Sequence, residues 1–198
     1  MSNLTKLEAF LKKKIYPDLQ KGRPNWDKPH TAGVVAYLKR IIKYSPDIKV
    51  DKTVLIIAAY AHDWGYAGLF INGQPTDYQT VQNAKDQHMV IGAKKLSALL
   101  NDKFFSFLTE QQKQRCIHLV KVHDKIDQLK DIDEIVLMEA DILSGLDIKT
   151  VTPTFDFESN KKFIQEVEIS RMPKFLNQYS RDKAKQLIPQ RMAWYQKK

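Results

Sequence analysis

The run Val54-Leu55-Ile56-Ile57-Ala58-Ala59-Tyr60-Ala61 limits what this chain can fold into more than any other stretch. It is apolar nearly all round, so as a helix it has no face to offer water and must sit at the centre of a domain. Asp51 is placed to cap its N-terminus. Its far end delivers the pair His62-Asp63, just before Gly65 and Gly68. A polar pair at the end of a central helix is the first pointer to a site.

The rest of the pattern is helical. Only seven glycines are present, and β-branched residues nowhere alternate with polar ones over a long stretch. That argues against a sandwich, a barrel or a doubly wound sheet. Leu4, Leu7, Phe10, Leu11 and Ile15 recur at helical spacing to about Leu19, and Pro24 and Pro29 bracket a polar connector. A second helix is expected from near His30 to Ser45-Pro46, burying Val34, Tyr37, Leu38, Ile41 and Ile42. After the central helix, residues 65–78, with Gly65, Gly68, Gly73 and Pro75, read as a loop of functional length. A fourth helix runs from about Thr80 to Leu100 and carries His88; Thr109 and Gln112 have capping-box spacing for a fifth that runs toward His123. Asp131 to Leu146 forms a sixth, with Ile135, Met138, Ile142 and Leu146 on one face. Beyond Pro153 a polar-rich helix reaches Met172, Pro173 interrupts it, and a last helix ends in Trp194-Tyr195. The expectation is an all-α fold of seven or eight helices in one domain over residues 1–198, with residues 151–198 as a helical C-terminal extension packed on the remainder.

Composition narrows the setting. An apolar fraction of 43% and a charged fraction of 28% are those of an ordinary globular protein. The lone Cys116 cannot form an internal disulfide and lies among apolar residues as a core thiol, which suits a reducing compartment. The opening Met-Ser-Asn-Leu-Thr-Lys has no apolar run of signal-peptide length, and no segment is long enough to span a bilayer, so a cytoplasmic location is expected. The formal charge of +9 favours anionic partners. Yet apart from Lys12-Lys13-Lys14 and a basic last segment (Arg181, Lys183, Lys185, Arg191, Lys197, Lys198) the cations are scattered, with no interleaved aromatic residues. This argues for a solvated face and against nucleic acid, while a small phosphorylated substrate fits the charge.

Five histidines are present, His30, His62, His88, His118 and His123, and their positions matter more than their number. Asp141 sits in the apolar stretch Met138-Glu139-Ala140-Asp141-Ile142-Leu143. A carboxylate buried there needs a cationic partner, and a divalent metal would serve. Imidazole and carboxylate ligands suit Zn, Mn, Fe, Co or Ni. His118 lies five positions before His123, which rotates it off the same helix face.

The ordered set His30, then Ala61-His62-Asp63-Trp64-Gly65, then His88 followed by Ile91-Gly92-Ala93, then His123, then Ala140-Asp141-Ile142-Leu143 resembles the HD-domain metal-dependent phosphohydrolase superfamily. The similarity spans about residues 25–147. His30-Thr31-Ala32-Gly33-Val34-Val35-Ala36-Tyr37 resembles that family's first helix, and Leu55 to Asp63 its apolar run into the pair. The resemblance implies that His30, His62, Asp63 and Asp141 bind one metal. It also implies that His88 and His123 match the added histidines of the two-metal subset, with Asp63 as the bridge. Asp63 and His62 are then the residues on which catalysis centres. One or two divalent ions follow, among Mn, Fe, Co, Ni, Zn and Mg. The implied activity is hydrolysis of a phosphomonoester or phosphodiester, nucleotide-like, by metal-activated water.

There are departures from the family pattern. Many two-metal members carry a lysine after the glycine that follows the His-Asp pair, where this chain has Tyr66. The Gly-Tyr-Pro signature of the cyclic-dinucleotide phosphodiesterases and the Glu-Asp pair of the guanosine tetraphosphate hydrolases are absent. Tyr66 can line a pocket or simply pack; Asp124 reads as solvent-facing or as a support for the ligands, and so does Glu139. Two alternatives stay open: a di-iron oxygenase on the same ligand set, and a non-catalytic metal- or nucleotide-binding regulatory module.

Overall fold

In the computed structural model, which describes residues 3–70 and 77–197, the apolar run lies at the middle of the molecule. Asp51 Oδ1 accepts from the Thr53 and Val54 backbone N–H groups at 2.9 and 3.1 Å, which starts helix α3 (Lys52–Ala61). Every side chain from Val54 to Ala61 is buried. Each fully buried Val, Leu or Ile contributes about 1.5–3 kcal/mol, so this short helix anchors the fold without any polar face.

The other helices wrap it: α1 (Asn3–Leu19), α2 (Asp27–Tyr44), α4 (Tyr78–Leu99), α5 (Glu110–Val122), α6 (Ile132–Leu146), α7 (Phe157–Glu166) and α8 (Gln178–Gln196). These eight α-helices, with no strand among the described residues, make the fold all-α. Helix α3 touches α1, α2, α5 and α6, while α2 lies along α6. Phe175, Ala184 and Leu187, from the C-terminal segment, join the same hydrophobic core as Leu7, Leu38 and Leu143. Among the described residues no helix is long and apolar enough to cross a membrane.

Three local details differ from the sequence expectation. Helix α2 begins at Asp27, three residues before His30, and takes Pro29 into its first turn, where a missing N–H leaves no intrahelical bond unmade. The helix expected to reach Met172 leaves α geometry after Glu166, widening into a π turn (Val167–Arg171) and then a 3₁₀ turn (Met172–Lys174) around Pro173. Arg191, grouped by sequence with a solvated basic face, is fully buried: Nε donates to Asn160 Oδ1 and Nη1 to the Gly145 carbonyl, both at 2.6 Å.

The loop after α3 opens with a 3₁₀ turn, Trp64–Tyr66. Gly65 lets that turn press against α4, because a Cβ there would stand 1.8 Å from the His88 carbonyl oxygen. The close approach brings the His62-Asp63 end of α3 beside His88. Residues 71–76 of the expected loop, including Gly73 and Pro75, lie outside the described residues.

Candidate metal centre

Five helices each deliver part of the site. His30 comes from the first turn of α2, His62 and Asp63 from the end of α3, His88 from α4, His123 from the end of α5, and Asp141 from α6. All six side chains that the resemblance singled out converge, and all are buried except Asp141, whose side chain is 14% exposed.

They form two groups. In the first, His30 Nε2 lies 2.9 Å from Asp141 Oδ1 and 3.3 Å from His62 Nε2, and His62 Nε2 is 3.8 Å from Asp141 Oδ1. In the second, His88 Nε2 and His123 Nε2 are 3.2 Å apart, and Asp63 Oδ1 is 3.6 and 3.8 Å from them. Within each trio (His30, His62, Asp141 and Asp63, His88, His123) the donor atoms lie within 4.8 Å of one another, close enough to hold one metal ion. Asp63 also reaches the first group, its Oδ2 lying 3.5 Å from His30 Nε2 and 3.4 Å from His62 Nε2.

The hydrogen bonding suits a cation. His62 Nδ1 is 2.8 Å from the Ala59 carbonyl, His123 Nδ1 2.9 Å from that of Val120, and His88 Nδ1 3.4 Å from that of Ala84. Carbonyls only accept, so each Nδ1 carries a proton and each ring turns its Nε2 inward, the nitrogen left to meet a proton or a metal ion. In the second group the Nε2 atoms of His88 and His123 face each other across 3.2 Å. Nothing but a proton or a metal ion between them makes that arrangement favourable.

Electrostatics point the same way. Burial alone would raise the Asp63 carboxyl, but His62 and Arg23 outweigh it and hold the group well below the usual range. Asp141 is lowered against its burial by His30 and His62. His62, despite burial, is pushed up to about 9 by Asp63 and Asp141, so the carboxylates draw positive charge onto the ring. Burial and the neighbouring His123 push His88 down to about 4, which keeps its ring neutral and its lone pair available.

Around the centre Arg23 was missed by the sequence reading, and the structure decides between the roles left open for Asp124, Glu139 and Tyr66. Arg23 Nη2 donates to Asp63 Oδ2 at 2.5 Å, while its Nε bonds Asp27 Oδ1; the spacing of four between Arg23 and Asp27 was the one available signal. Asp124 is not solvent-facing: it is ion-paired with Arg171 at 3.0 Å and lies 3.9 Å from His88 Nε2. Glu139 supports no histidine of the site. It accepts from the Asn177 N–H, Asn177 Nδ2 and Ser180 Oγ at the start of α8, because two residues along a helix turn it about 200° from Asp141. Tyr66 is buried and stacks on His88, ring centroids 3.9 Å apart and 9° from parallel. His118 pairs with Glu134 at 2.8 Å and belongs to neither group.

A pocket opens over the centre. Arg23, Lys85 and Arg171 supply cations to its wall, and Trp26, Phe155 and Phe163 make it apolar on one side. The fold and this site define an all-helical protein whose paired His/Asp groups are suited to divalent metal. It belongs to the HD domain family, whose sequence profile matches residues 29–146, and that family consists mostly of metal-dependent hydrolases. Neither the curated proteins nor the solved structures furnish a match to this chain.

Proposed function

We propose that the protein is a metal-dependent phosphohydrolase acting on a small, nucleotide-like phosphomonoester or phosphodiester. His30, His62 and Asp141 would hold one divalent ion, His88 and His123 a second, with Asp63 shared. The observation that carries this reading is the position of Asp63, whose Oδ2 faces His30 and His62 while Oδ1 faces His88 and His123. Bound divalent ions supply Lewis-acid polarisation of the phosphoryl group and lower the pKa of the attacking water toward neutrality.

The chain's own groups account for binding and orientation. The backbone carbonyls of Ala59, Ala84 and Val120 fix three rings so that Nε2 faces the centre. Arg23 fixes the carboxylate of Asp63. Arg23, Lys85 and Arg171 on the pocket wall are balanced by Asp63, Asp124, Asp141 and Glu166, so bound divalent ions would supply the positive charge that favours a phosphate, while the aromatic residues shelter a base or sugar from water. Phe155, Phe163, Glu166 and Arg171 all come from beyond residue 150 and line this pocket. We therefore read residues 1–198 as one domain whose C-terminal extension completes the pocket rather than standing apart.

A panel of phosphorylated metabolites, run with Mn, Mg, Co, Ni and Fe in turn beside elemental analysis of the purified protein, tests the reading. Metal-dependent release of phosphate or of a nucleoside monophosphate supports it. Tightly held iron with oxygen uptake and no ester hydrolysis overturns it in favour of an oxygenase.

A further inference from the structure

The connector between α1 and α2 is built around one arginine. Asp27 Oδ2 accepts the Arg23 backbone N–H at 2.6 Å and Asp27 Oδ1 accepts Nε at 2.5 Å, so one fully buried carboxylate fixes both the main chain and the side chain. Space for that carboxylate requires glycine at position 22, where a Cβ would stand 2.0 Å from Asp27 Oδ2. Asn25 adopts a left-handed φ of 56°, a conformation asparagine tolerates better than most residues, and the chain there turns into α2. The guanidinium of Arg23 then lies over the Tyr66 ring, 4.2 Å from its centroid, with Nη2 on Asp63 Oδ2 at 2.5 Å. Its plane is thus held by Asp27, Tyr66 and Asp63 together.

That is more construction than charge balance needs. With Nε and Nη2 committed to carboxylates, Nη1 makes no hydrogen bond among the described residues, and it is not one of the sealed, unpartnered atoms of the interior. The side chain is 11% exposed and lines the pocket. The other cations of the wall are differently placed: Lys85 reaches Glu166, and Arg171 reaches Glu166 and Asp124. Of these three wall cations Arg23 alone pairs with Asp63, the carboxylate whose two oxygens face both histidine pairs. A planar fork with donors on more than one edge can hold a carboxylate and an oxyanion at once, which a lysine ammonium on a flexible stem does poorly.

We propose that Arg23 binds the substrate's phosphoryl oxygens through Nη1 while Nη2 fixes Asp63, making it a substrate-binding residue as well as a support for the metal ligand. The proposal rests on the phosphohydrolase reading for the identity of its ligand. Its local cause is independent of that reading: a guanidinium held on three sides, in a side chain that lines the pocket, with Nη1 making no hydrogen bond among the described residues.

Inorganic phosphate is the probe, titrated by calorimetry into manganese-loaded wild type, Arg23→Gln and Arg23→Lys, with manganese content measured for each. Losing charge-assisted hydrogen bonds of this kind weakens binding by about 10- to 100-fold, so Arg23→Gln should fall in that range and Arg23→Lys between it and wild type. Because Nη2 also fixes Asp63, each variant is brought to wild-type manganese stoichiometry with added metal before phosphate is titrated. Wild-type phosphate affinity in Arg23→Gln overturns the proposal. Wild-type phosphate affinity in both variants once their manganese is restored also overturns it, because Arg23 is then a support for Asp63 and nothing more. Should Arg23→Gln fail to fold, Arg23→Lys, which keeps the charge, carries the comparison by itself. The two readings separate cleanly. An inactive ester panel with Arg23-dependent phosphate binding removes the hydrolase and leaves the anion site. Ester turnover with unchanged KM in Arg23→Gln does the reverse.

Discussion

Arg171 donates through Nη2 to Asp124 Oδ1 across 3.0 Å, joining the C-terminal segment to the residue that directly follows His123. The same guanidinium bonds Glu166, five positions earlier, from both Nε and Nη2. The π turn Val167–Arg171 explains that spacing, since a wider turn brings residues five apart onto one side. Asp124 is lowered, against its burial, by Lys85 and Arg171. Arg171→Met should therefore leave a buried carboxylate unpaired and destabilise the protein by roughly 3–5 kcal/mol in urea unfolding. Lys161→Ala, which removes an exposed pair with Glu158, is the control and should cost less than about 1 kcal/mol. An Arg171→Met loss no larger than the control's would mean that the pair does not fasten the extension.

Glu139 is a structural carboxylate two residues from Asp141. It takes the backbone N–H of Asn177 at 3.1 Å, and Asn177 Nδ2 and Ser180 Oγ both at 2.6 Å, with Leu176 N–H at 2.5 Å. An acid at a helix N-terminus is well placed electrostatically, and here it anchors α8 to α6. Glu139→Ala leaves several buried donors without an acceptor, at about 1–3 kcal/mol each before relaxation. We expect at least about 3 kcal/mol of destabilisation, a smaller loss for Glu139→Gln, and unchanged metal content in whatever fraction folds. Loss of metal from folded Glu139→Gln would show that the residue acts on the site after all.

What the sequence made legible follows from how each residue contrasts with its surroundings. The run Val54–Ala61 has no polar face, so its central place needed no tertiary information. Asp141 stood out because an ionisable group between Ala140 and Ile142 needs a partner, and the histidines were few enough to be ordered along the chain. Arg23 was hidden in a polar connector and Arg191 among the lysines and arginines of a basic last segment, where a cation reads as solvated; only tertiary packing buries these side chains, as it does that of Arg171. Glu139 was misleading because proximity to Asp141 along the chain places it on the other side of α6. The start of α2 was displaced by Pro29, which marks a break inside a helix but is tolerated in its first turn.

Away from the site, Glu134 gives a pH signature. Burial would raise its carboxyl, but the backbone N–H groups of Lys130 and Asp131, with His118 and Arg115, outweigh burial and lower it from 4.5. A carboxyl that is more acidic folded than unfolded contributes stability above its unfolded pKa and loses it as pH falls through the folded one. Wild type should then lose stability relative to Glu134→Gln from about pH 5 downward, while the difference between them stays constant above that. Urea unfolding of both proteins between pH 3 and about 7 reads this directly. A difference that does not shrink on acidification would mean that Glu134 gains no proton-linked stability from its cap at the start of α6.

Asp63 bears the heaviest demand, since its oxygens approach four histidine nitrogens at 3.4–3.8 Å. A ligand that binds only the folded state stabilises it by mass action, about 2.7 kcal/mol when present at a hundred times its dissociation constant. Manganese added to metal-stripped wild type should raise the melting temperature, and a chelator should reverse the shift. Asp63→Ala removes the shared carboxylate and leaves Arg23 with Asp27 as its remaining ion-pair partner among the described residues. We expect no manganese-dependent shift in that variant, metal content near zero and no detectable ester hydrolysis. Asp63→Ala could unfold for want of its ion pair, so His123→Gln serves beside it. That change leaves the Arg23–Asp63 contact in place and removes one donor of the second group. Its metal content should fall by about half if two ions bind and by little if one does. Retention of full metal content and turnover by Asp63→Ala would show that Asp63 is not a ligand and would overturn the shared-carboxylate reading.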